Sequence, residues 1–192
     1  ALAVLLAALL IIRPYAAQFF YQGGLVSATF GNLELAALDL NRAATINAWD
    51  TRVAYLRGQV EFALGERSRD LTRMERGLTI LRQAIEQHPY DTELRALVAQ
   101  LSARAGDLHT AEYQLTQAKE LFRFNPFYRY KLARVLLLRG KVEAARAELE
   151  KLLNLPEKAF ARAFLDKDEV REVLEEARQL WQRLKLRRLP GE

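Results

Sequence analysis

The chain has 192 residues, 51% of them hydrophobic, which is long and apolar enough to bury a core and excludes global disorder. It has no cysteine, which excludes disulfides, thiolate chemistry and zinc sites with cysteine ligands, and it carries 29 basic against 24 acidic residues for a net charge of +5. With only 9 glycines and 5 prolines, the composition predicts an all-α fold made of long helices.

The chain opens with an uninterrupted apolar run, Ala1 to Ile12, which Arg13 and Pro14 end. A transmembrane helix needs about 20 apolar residues. Residues 1–16 are therefore predicted to be the end of a transmembrane helix whose beginning lies upstream. Two alternatives stay open: a helix buried against the rest of the fold, and the apolar region of a secretory signal, which is about 7 to 15 residues long.

A repeat follows this segment. Glycines recur at Gly31, Gly65, Gly106 and Gly140, and the first and last of the three intervals are equal, at about 34 residues, a length typical of a helical repeat unit. The middle interval is longer by a seven-residue insertion, placed in 66–72 (ERSRDLT), which is charged and predicted to be exposed. It would add about two helical turns or enlarge a turn. Four helix-turn-helix units are predicted, at about 17–50, 51–91 with the insertion, 92–125 and 126–159.

Capping residues and small residues agree with this division. Asp50, Asp91 and Asn125 stand where the first helices of three units begin, and side chains of this type cap helix N-termini. Small residues also recur through the units, at Gly24, Gly58, Gly77, Ala111 and Ala145.

In its period and in these small residues the chain resembles the tetratricopeptide-repeat (TPR) family, whose unit of helix, turn and helix is about 34 residues long. The resemblance covers about 17–159. It implies a right-handed α-solenoid that binds a protein or peptide partner in its concave groove. The chain departs from the family pattern at position 4 of two units, where Arg95 and Arg129 replace a large apolar residue.

Residues 160–192 are predicted to be a capping helix and a basic tail. Apolar residues recur at helical spacing between Lys167 and Arg188, which gives one apolar stripe and one charged face. Repeat arrays need such a cap because the last unit otherwise exposes its stacking surface. The basic residues at the end of this helix complement its macrodipole, so nucleic-acid binding is not predicted.

Resemblance to the TPR family also implies which residues would line the groove, since positions 2, 5, 9, 12 and 13 of each first helix do so. Carried over by position, the predicted groove residues are Tyr21, Arg52, Tyr55, Gln59, Phe62, Gln100, Arg104, Phe127, Tyr130 and Arg134. Tyrosine occupies position 5 in three of the four units, where it offers flat apolar area and a hydroxyl to a peptide. The alternative that these tyrosines pack between helices stays open. The family's carboxylate clamp for chaperone C-termini is not present.

Nothing in the sequence indicates catalysis. The two histidines, His88 and His109, lie in predicted turns, and neither has a second ligand at metal-binding spacing. The sequence contains no phosphate-binding glycine loop and no nucleophile elbow. We therefore predict that this chain is not an enzyme and that it uses no cofactor and no metal.

The junction at Arg13 to Gln22 (RPYAAQFFYQ), directly between an apolar run and repeat units, resembles the C-terminal part of bacterial O-antigen ligase or polymerase-type membrane proteins. That resemblance implies a bacterial membrane-associated scaffold that recruits partners, with any glycan transfer performed upstream. The alternative is a stand-alone TPR assembly factor, either membrane-anchored or soluble in the cytoplasm.

Overall fold

The computed structural model describes residues 2–156 and 166–186, with side chains at 12–156 and 166–185. Within these residues the chain is all-α, as predicted. The helices are α1 (Leu2–Thr29), α2 (Leu33–Ile46), α3 (Thr51–Ser68), α4 (Leu71–Gln87), α5 (Thr92–Arg104), α6 (Leu108–Leu121), α7 (Pro126–Leu138), α8 (Val142–Leu153) and α9 (Lys167–Leu186).

The chain divides into two compact halves, Ala1–Leu101 and Ser102–Glu192, and the division falls within α5. In the N-terminal half α1 packs on α2, α2 on α3 and α3 on α4, and α1 also contacts α3. In the C-terminal half α6 packs on α7, α7 packs on α8, and α9 packs on both α7 and α8. The limits of the four repeat units remain a prediction.

Two apolar clusters form the core of the N-terminal half. The first joins α2 and α3 through Ala36, Ala37, Leu40, Val60 and Leu64. The second joins α3, α4 and α5 through Phe62, Leu78, Leu81, Ala84, Ile85, Leu94, Leu97, Val98 and Leu101. Since α3 contributes to both clusters, its two sides are buried by different neighbours, which is how stacked helical repeats gain stability.

Small residues bring α3 and α4 close together, as their positions predicted. A Cβ built on Gly58 would lie 2.5 Å from Cγ of Leu81, and one built on Gly77 would lie 2.6 Å from the Gly58 carbonyl oxygen. Any side chain at either position would therefore force the two helices apart.

Side-chain caps begin the helices where the sequence predicted them. Asp50 accepts a hydrogen bond from the backbone N–H of Arg52, and Asn125 accepts one from Phe127. Asp91 accepts hydrogen bonds from the N–H groups of Glu93 and Leu94 at the start of α5. These bonds satisfy N–H groups that have no partner within the helix.

The structure differs from the predicted repeat in one of the turns inside the helical hairpins. Gly31, Gly106 and Gly140 each have a positive φ, between 73° and 88°. Gly65 lies inside α3 instead, and the residue with positive φ in that turn is Arg69, at 57°. Glycine adopts this conformation without the steric penalty that a side chain brings, so the α3–α4 turn is the strained member of the set.

The predicted insertion lengthens both helices of its hairpin. Helix α3 has 18 residues and α4 has 17, whereas α5 and α7 have 13 each. Only Arg69 and Asp70 connect α3 to α4. Residues 67–72 are exposed, as their charged composition predicted.

In the C-terminal half a buried carboxylate explains a departure from the family pattern. Glu148 of α8 binds Lys119 of α6 at 3.2 Å and Arg129 of α7 at 2.8 Å. All three side chains are largely shielded from water, so Glu148 supplies the nearer carboxylate for Lys119, which also lies 3.6 Å from Glu120, and an ion-pair partner for Arg129. Arg129, at position 4 of its unit, therefore stabilises a junction of three helices with an ion pair.

Helix α9 covers α7 and α8, as a capping helix should. It buries Val170, Val173, Ala177 and Leu184, and the guanidinium of Arg146 donates to the Leu184 carbonyl oxygen at 3.0 Å. The basic tail predicted beyond residue 186 lies outside the described residues.

The predicted membrane segment, residues 1–16, is described only in part, since the side chains of residues 2–11 lie outside the description. Among the helices searched in the described part of the chain, none is long and apolar enough to cross a membrane.

Replacing Arg69 with glycine should raise the free energy of unfolding by about 0.5–1 kcal/mol, because glycine removes the steric penalty of the positive φ. Gly106→Ala is the matched opposite change and should lower it by about 1 kcal/mol. Urea denaturation of both variants measures the effects, and a destabilised Arg69→Gly protein would contradict the reasoning.

Glu148→Gln should lower the free energy of unfolding by about 2–3 kcal/mol, because the shielded Arg129 loses its ion pair and Lys119 keeps only its longer contact with the exposed Glu120. Glu150→Gln, an exposed position on the same helix, is the control and should change it by less than about 0.5 kcal/mol. Thermal and urea denaturation measure the stability of both variants. Equal losses of stability in Glu148→Gln and Glu150→Gln would show that Glu148 acts only as a surface charge.

Candidate functional site

The predicted groove residues of the N-terminal half begin at the contact between α1 and α3. The guanidinium of Arg52 lies 5.2 Å from the ring centroid of Tyr21 and donates to Oε1 of Gln18 at 3.3 Å. It also binds Oδ2 of Asp50 at 2.7 Å. The hydrogen bond from Arg52 lowers the pKa of Asp50. Arg52 is therefore exposed to solvent yet held in place by α1 and by its own helix cap.

Tyr55 lies on the same helix, one turn beyond Arg52. Its ring is half-buried against the α3–α4–α5 cluster. Burial raises the pKa of the Tyr55 hydroxyl, and the negative charges of Glu93 and Asp91 raise it further. The hydroxyl thus stays protonated in neutral solution and can donate to an acceptor. Gln59, one turn further on, is exposed.

We define the α1–α3 row as Tyr21, Arg52, Tyr55 and Gln59. Its members present two aromatic rings, one fixed cation and one amide along two neighbouring helices. Such a set can bind a peptide backbone and its side chains through hydrogen bonds and stacking.

One predicted groove residue is not at the surface. Phe62 is fully buried and belongs to the cluster that joins α3, α4 and α5. It contacts the backbone of Gly77, where the absence of a side chain makes room for it. Phe62 therefore belongs to the core, because α4 and α5 cover it.

Gln100 of the N-terminal half is exposed, as a groove residue should be. In the C-terminal half Arg104 and Arg134 are exposed, and Phe127 is half-buried. Their placement is compatible with binding.

Tyr130 of the C-terminal half is engaged by the chain itself. Its ring lies 5.8 Å from the guanidinium carbon of Arg134. Burial raises the pKa of the Tyr130 hydroxyl, and a hydrogen bond to Glu176 of α9 raises it further. Glu176 of α9 therefore lies beside the hydroxyl of Tyr130, as Glu93 and Asp91 lie near that of Tyr55.

A surface cleft of about 660 Å³ lies beside the α1–α3 row and was not predicted. It is lined by the turns between α2 and α3 and between α4 and α5, and it includes Arg52 from the row. The lining residues are Asn47, Trp49, Asp50, Thr51, Arg52, Gln87, His88, Pro89, Tyr90 and Asp91.

Two features of this cleft point to binding. Trp49 and Tyr90 expose most of their rings, although aromatic side chains are usually buried. Nε2 of His88 is shielded from solvent and has no hydrogen-bond partner. A buried polar atom without a partner is unfavourable, so this part of the cleft is not optimised for stability alone.

A sequence signal could have found the cleft. An aromatic residue directly precedes the capping residue of α3, α5 and α7, at Trp49, Tyr90 and Phe124. The distance from Trp49 to Tyr90 along the sequence equals the longer interval between the repeated glycines. The distance from Tyr90 to Phe124 equals the shorter interval. Exposed aromatic residues at a fixed repeat position indicate a surface and not a core.

Within the described residues no group of three or more histidine, aspartate or glutamate side chains could hold a metal ion. The arrangement at the row and the cleft offers stacking, hydrogen bonds and one fixed cation.

Phe62→Ala should lower the free energy of unfolding by about 3–5 kcal/mol, as loss of a fully buried aromatic side chain does. Gln59→Ala, three positions earlier on the same helix, should change it by less than about 0.5 kcal/mol. Urea denaturation measures the free energy of unfolding of both variants. A small effect of Phe62→Ala would show that Phe62 is a surface residue that can line the groove.

No protein-family model matches the sequence, and no curated protein is significantly similar to it. Solved structures with the same fold do exist. The chain superposes on a crystal structure of MamA with a TM-score of 0.63 at 14% identity, covering 88% of this chain and 90% of that one. MamA of Desulfovibrio magneticus gives 0.62 at 15% identity, covering 78% of each chain. YrrB, a TPR protein with an unusual peptide-binding site, gives 0.56 at 14% identity, covering 87% and 88%. These likenesses show that the chain has the all-α solenoid fold of TPR proteins.

Proposed function

We propose that this chain is a protein-interaction scaffold that binds a peptide segment of its partner on the α1–α3 row. The observation that carries the proposal is the placement of Arg52. Its guanidinium is exposed, yet contacts with Tyr21, Gln18 and Asp50 hold it in one geometry. The guanidinium N–H groups that Asp50 and Gln18 do not use are held in place, so they cost little side-chain entropy when a ligand carbonyl binds to them.

The neighbours of Arg52 extend this site along two helices. Tyr55 supplies a protonated hydroxyl, and Gln59 supplies both a donor and an acceptor for a peptide backbone. The side chains are spaced by single helical turns, so a bound segment of several residues could contact all of them.

The adjoining cleft would accept one side chain of the same peptide. Its volume of about 660 Å³ exceeds that of any single side chain, so it has room for an aromatic or long aliphatic side chain together with water, and Trp49 and Tyr90 offer apolar rings for that side chain. The solved structures support this class of function at the level of the fold only.

Attachment to an O-antigen ligase or polymerase-type membrane protein rests on the apolar run and on the junction at residues 13–22. The structural neighbours give no support to that attachment, and they favour the alternative of a TPR assembly factor. A scaffold function for the α1–α3 row is the same in both settings, because neither requires catalysis by this chain.

A peptide library displayed on phage, selected against the 192-residue chain, tests the proposal. The selected peptide should lose at least about tenfold in affinity, measured by isothermal titration calorimetry, when Arg52→Ala and Gln59→Ala are combined. Both side chains are exposed, so the double variant should retain its helical circular dichroism and stability.

The matched control combines Arg76→Ala with Gln83→Ala, which are exposed positions of the same residue types on α4. This control should bind the peptide as the unchanged chain does. Selection of no peptide, or an equal loss in both double variants, would contradict binding on the α1–α3 row. Trp49→Ala should weaken binding further only if the peptide also enters the cleft.

A further inference from the structure

The outer face of α1 is an uncovered apolar surface. Its exposed large apolar residues are Ile12, Tyr15, Phe19 and Val26, and Phe30 continues the surface just beyond the helix. Isolated exposed apolar residues are common, but a row of them along one helix indicates an interaction surface.

The repeat shows what this face normally does. Phe19, Val26 and Phe30 are 74%, 52% and 84% exposed, whereas the residues one repeat later, Val53, Val60 and Leu64, are 2%, 2% and 3% exposed. The same positions are also buried in α5 (Leu94 and Leu101) and in α7 (Tyr128 and Val135). In these later helices this face packs on other helices. The corresponding face of α1 carries apolar residues suited to helix packing, but these residues are exposed.

The spacing of the exposed residues identifies the kind of contact. Positions 12, 15, 19, 22, 26 and 29 are all exposed and follow the alternating intervals of three and four that define the seam of a helix pair. We call these six residues the α1 seam: Ile12, Tyr15, Phe19, Gln22, Val26 and Thr29. Gln22 and Thr29 are polar, which suits a helix partner better than a lipid surface.

The rest of the described chain offers no other surface that fits the α1 seam. Helix α9, the last described helix, has an outer face with Arg171, Glu172, Glu175 and Arg178 exposed. In no other described helix do exposed large apolar residues form a row of more than two. Among the residues that the structure describes, the surface that matches the seam in length and chemistry is the seam itself.

We propose that the α1 seam binds the α1 seam of a second copy of this chain, forming an antiparallel pair about a twofold axis. In the register centred between residues 20 and 21, three layers form and each occurs twice: Ile12 faces Thr29, Tyr15 faces Val26, and Phe19 faces Gln22. Each layer pairs a larger residue with a smaller one, so the contact is self-complementary, as a twofold interface requires. The paired segments span about 26 Å, at a rise of about 1.5 Å per residue.

Sedimentation equilibrium of the 192-residue chain tests the pairing. The unchanged chain should be dimeric at micromolar concentration, and Phe19→Glu should weaken dimerisation at least tenfold by placing a charge in the central layer. Leu38→Glu, an exposed apolar residue on α2 outside the seam, is the control and should remain dimeric. Val26→Lys gives a second disruption at an exposed position, and circular dichroism confirms that each variant is folded. A monomeric unchanged chain, or a dimeric Phe19→Glu variant, would overturn the proposal.

Disulfide cross-linking tests the direction of the pair, because the chain has no native cysteine. The double variant Tyr15→Cys with Val26→Cys should form a covalent dimer on oxidation, whereas neither single variant should. The two cysteines of one chain lie three helical turns apart on α1, too far to join each other. Cross-linking of each single variant would indicate a parallel pair, and no cross-link in any variant would indicate another surface. Both results would overturn the antiparallel arrangement.

Discussion

The structure depends on one constraint: a single helical hairpin of the repeat cannot bury its own apolar faces and must be covered by its neighbours. Helix α3 shows this directly, since Val60 and Leu64 pack towards α2 while Phe62 packs towards α4 and α5. The contact within a hairpin is made close by the absence of side chains at Gly58 and Gly77. Dense packing of this kind explains why the insertion lengthens α3 and α4 together.

Stacking also decides where binding residues can be placed. Once two sides of a helix are used for packing, the remaining surface carries the polar and aromatic residues that meet solvent. On α3 these are Arg52 and Gln59, with Tyr55 at the margin of the core. In the C-terminal half Arg104 and Arg134 are exposed, and Glu176 of α9 lies beside the hydroxyl of Tyr130.

The first and the last described helix differ in whether their apolar faces are covered. Helix α9 buries its apolar stripe on α7 and α8 and turns charged residues outward. Helix α1 packs on α2 and leaves a heptad-spaced apolar seam in solvent. A seam of that kind has lower free energy when another helix covers it, which links the inferred pairing to the packing that forms the core.

The sequence by itself determined the features that are local. The repeat period, the caps at Asp50, Asp91 and Asn125, and the all-α composition depend on neighbouring residues, so pattern and propensity were sufficient to predict them. The resemblance to the TPR family, carried over by position, also predicted surface positions for Arg52 and Gln59, which are exposed.

Only the tertiary structure decided the features that join distant residues. Phe62 is core because α4 and α5 close over it, and Arg129 replaces an apolar residue because Glu148 on the next helix compensates its charge. The cleft between Trp49 and Tyr90 requires the α2–α3 turn and the α4–α5 turn to be neighbours. Burial and pairing of this kind depend on distances in space, and a one-dimensional pattern carries no information about them.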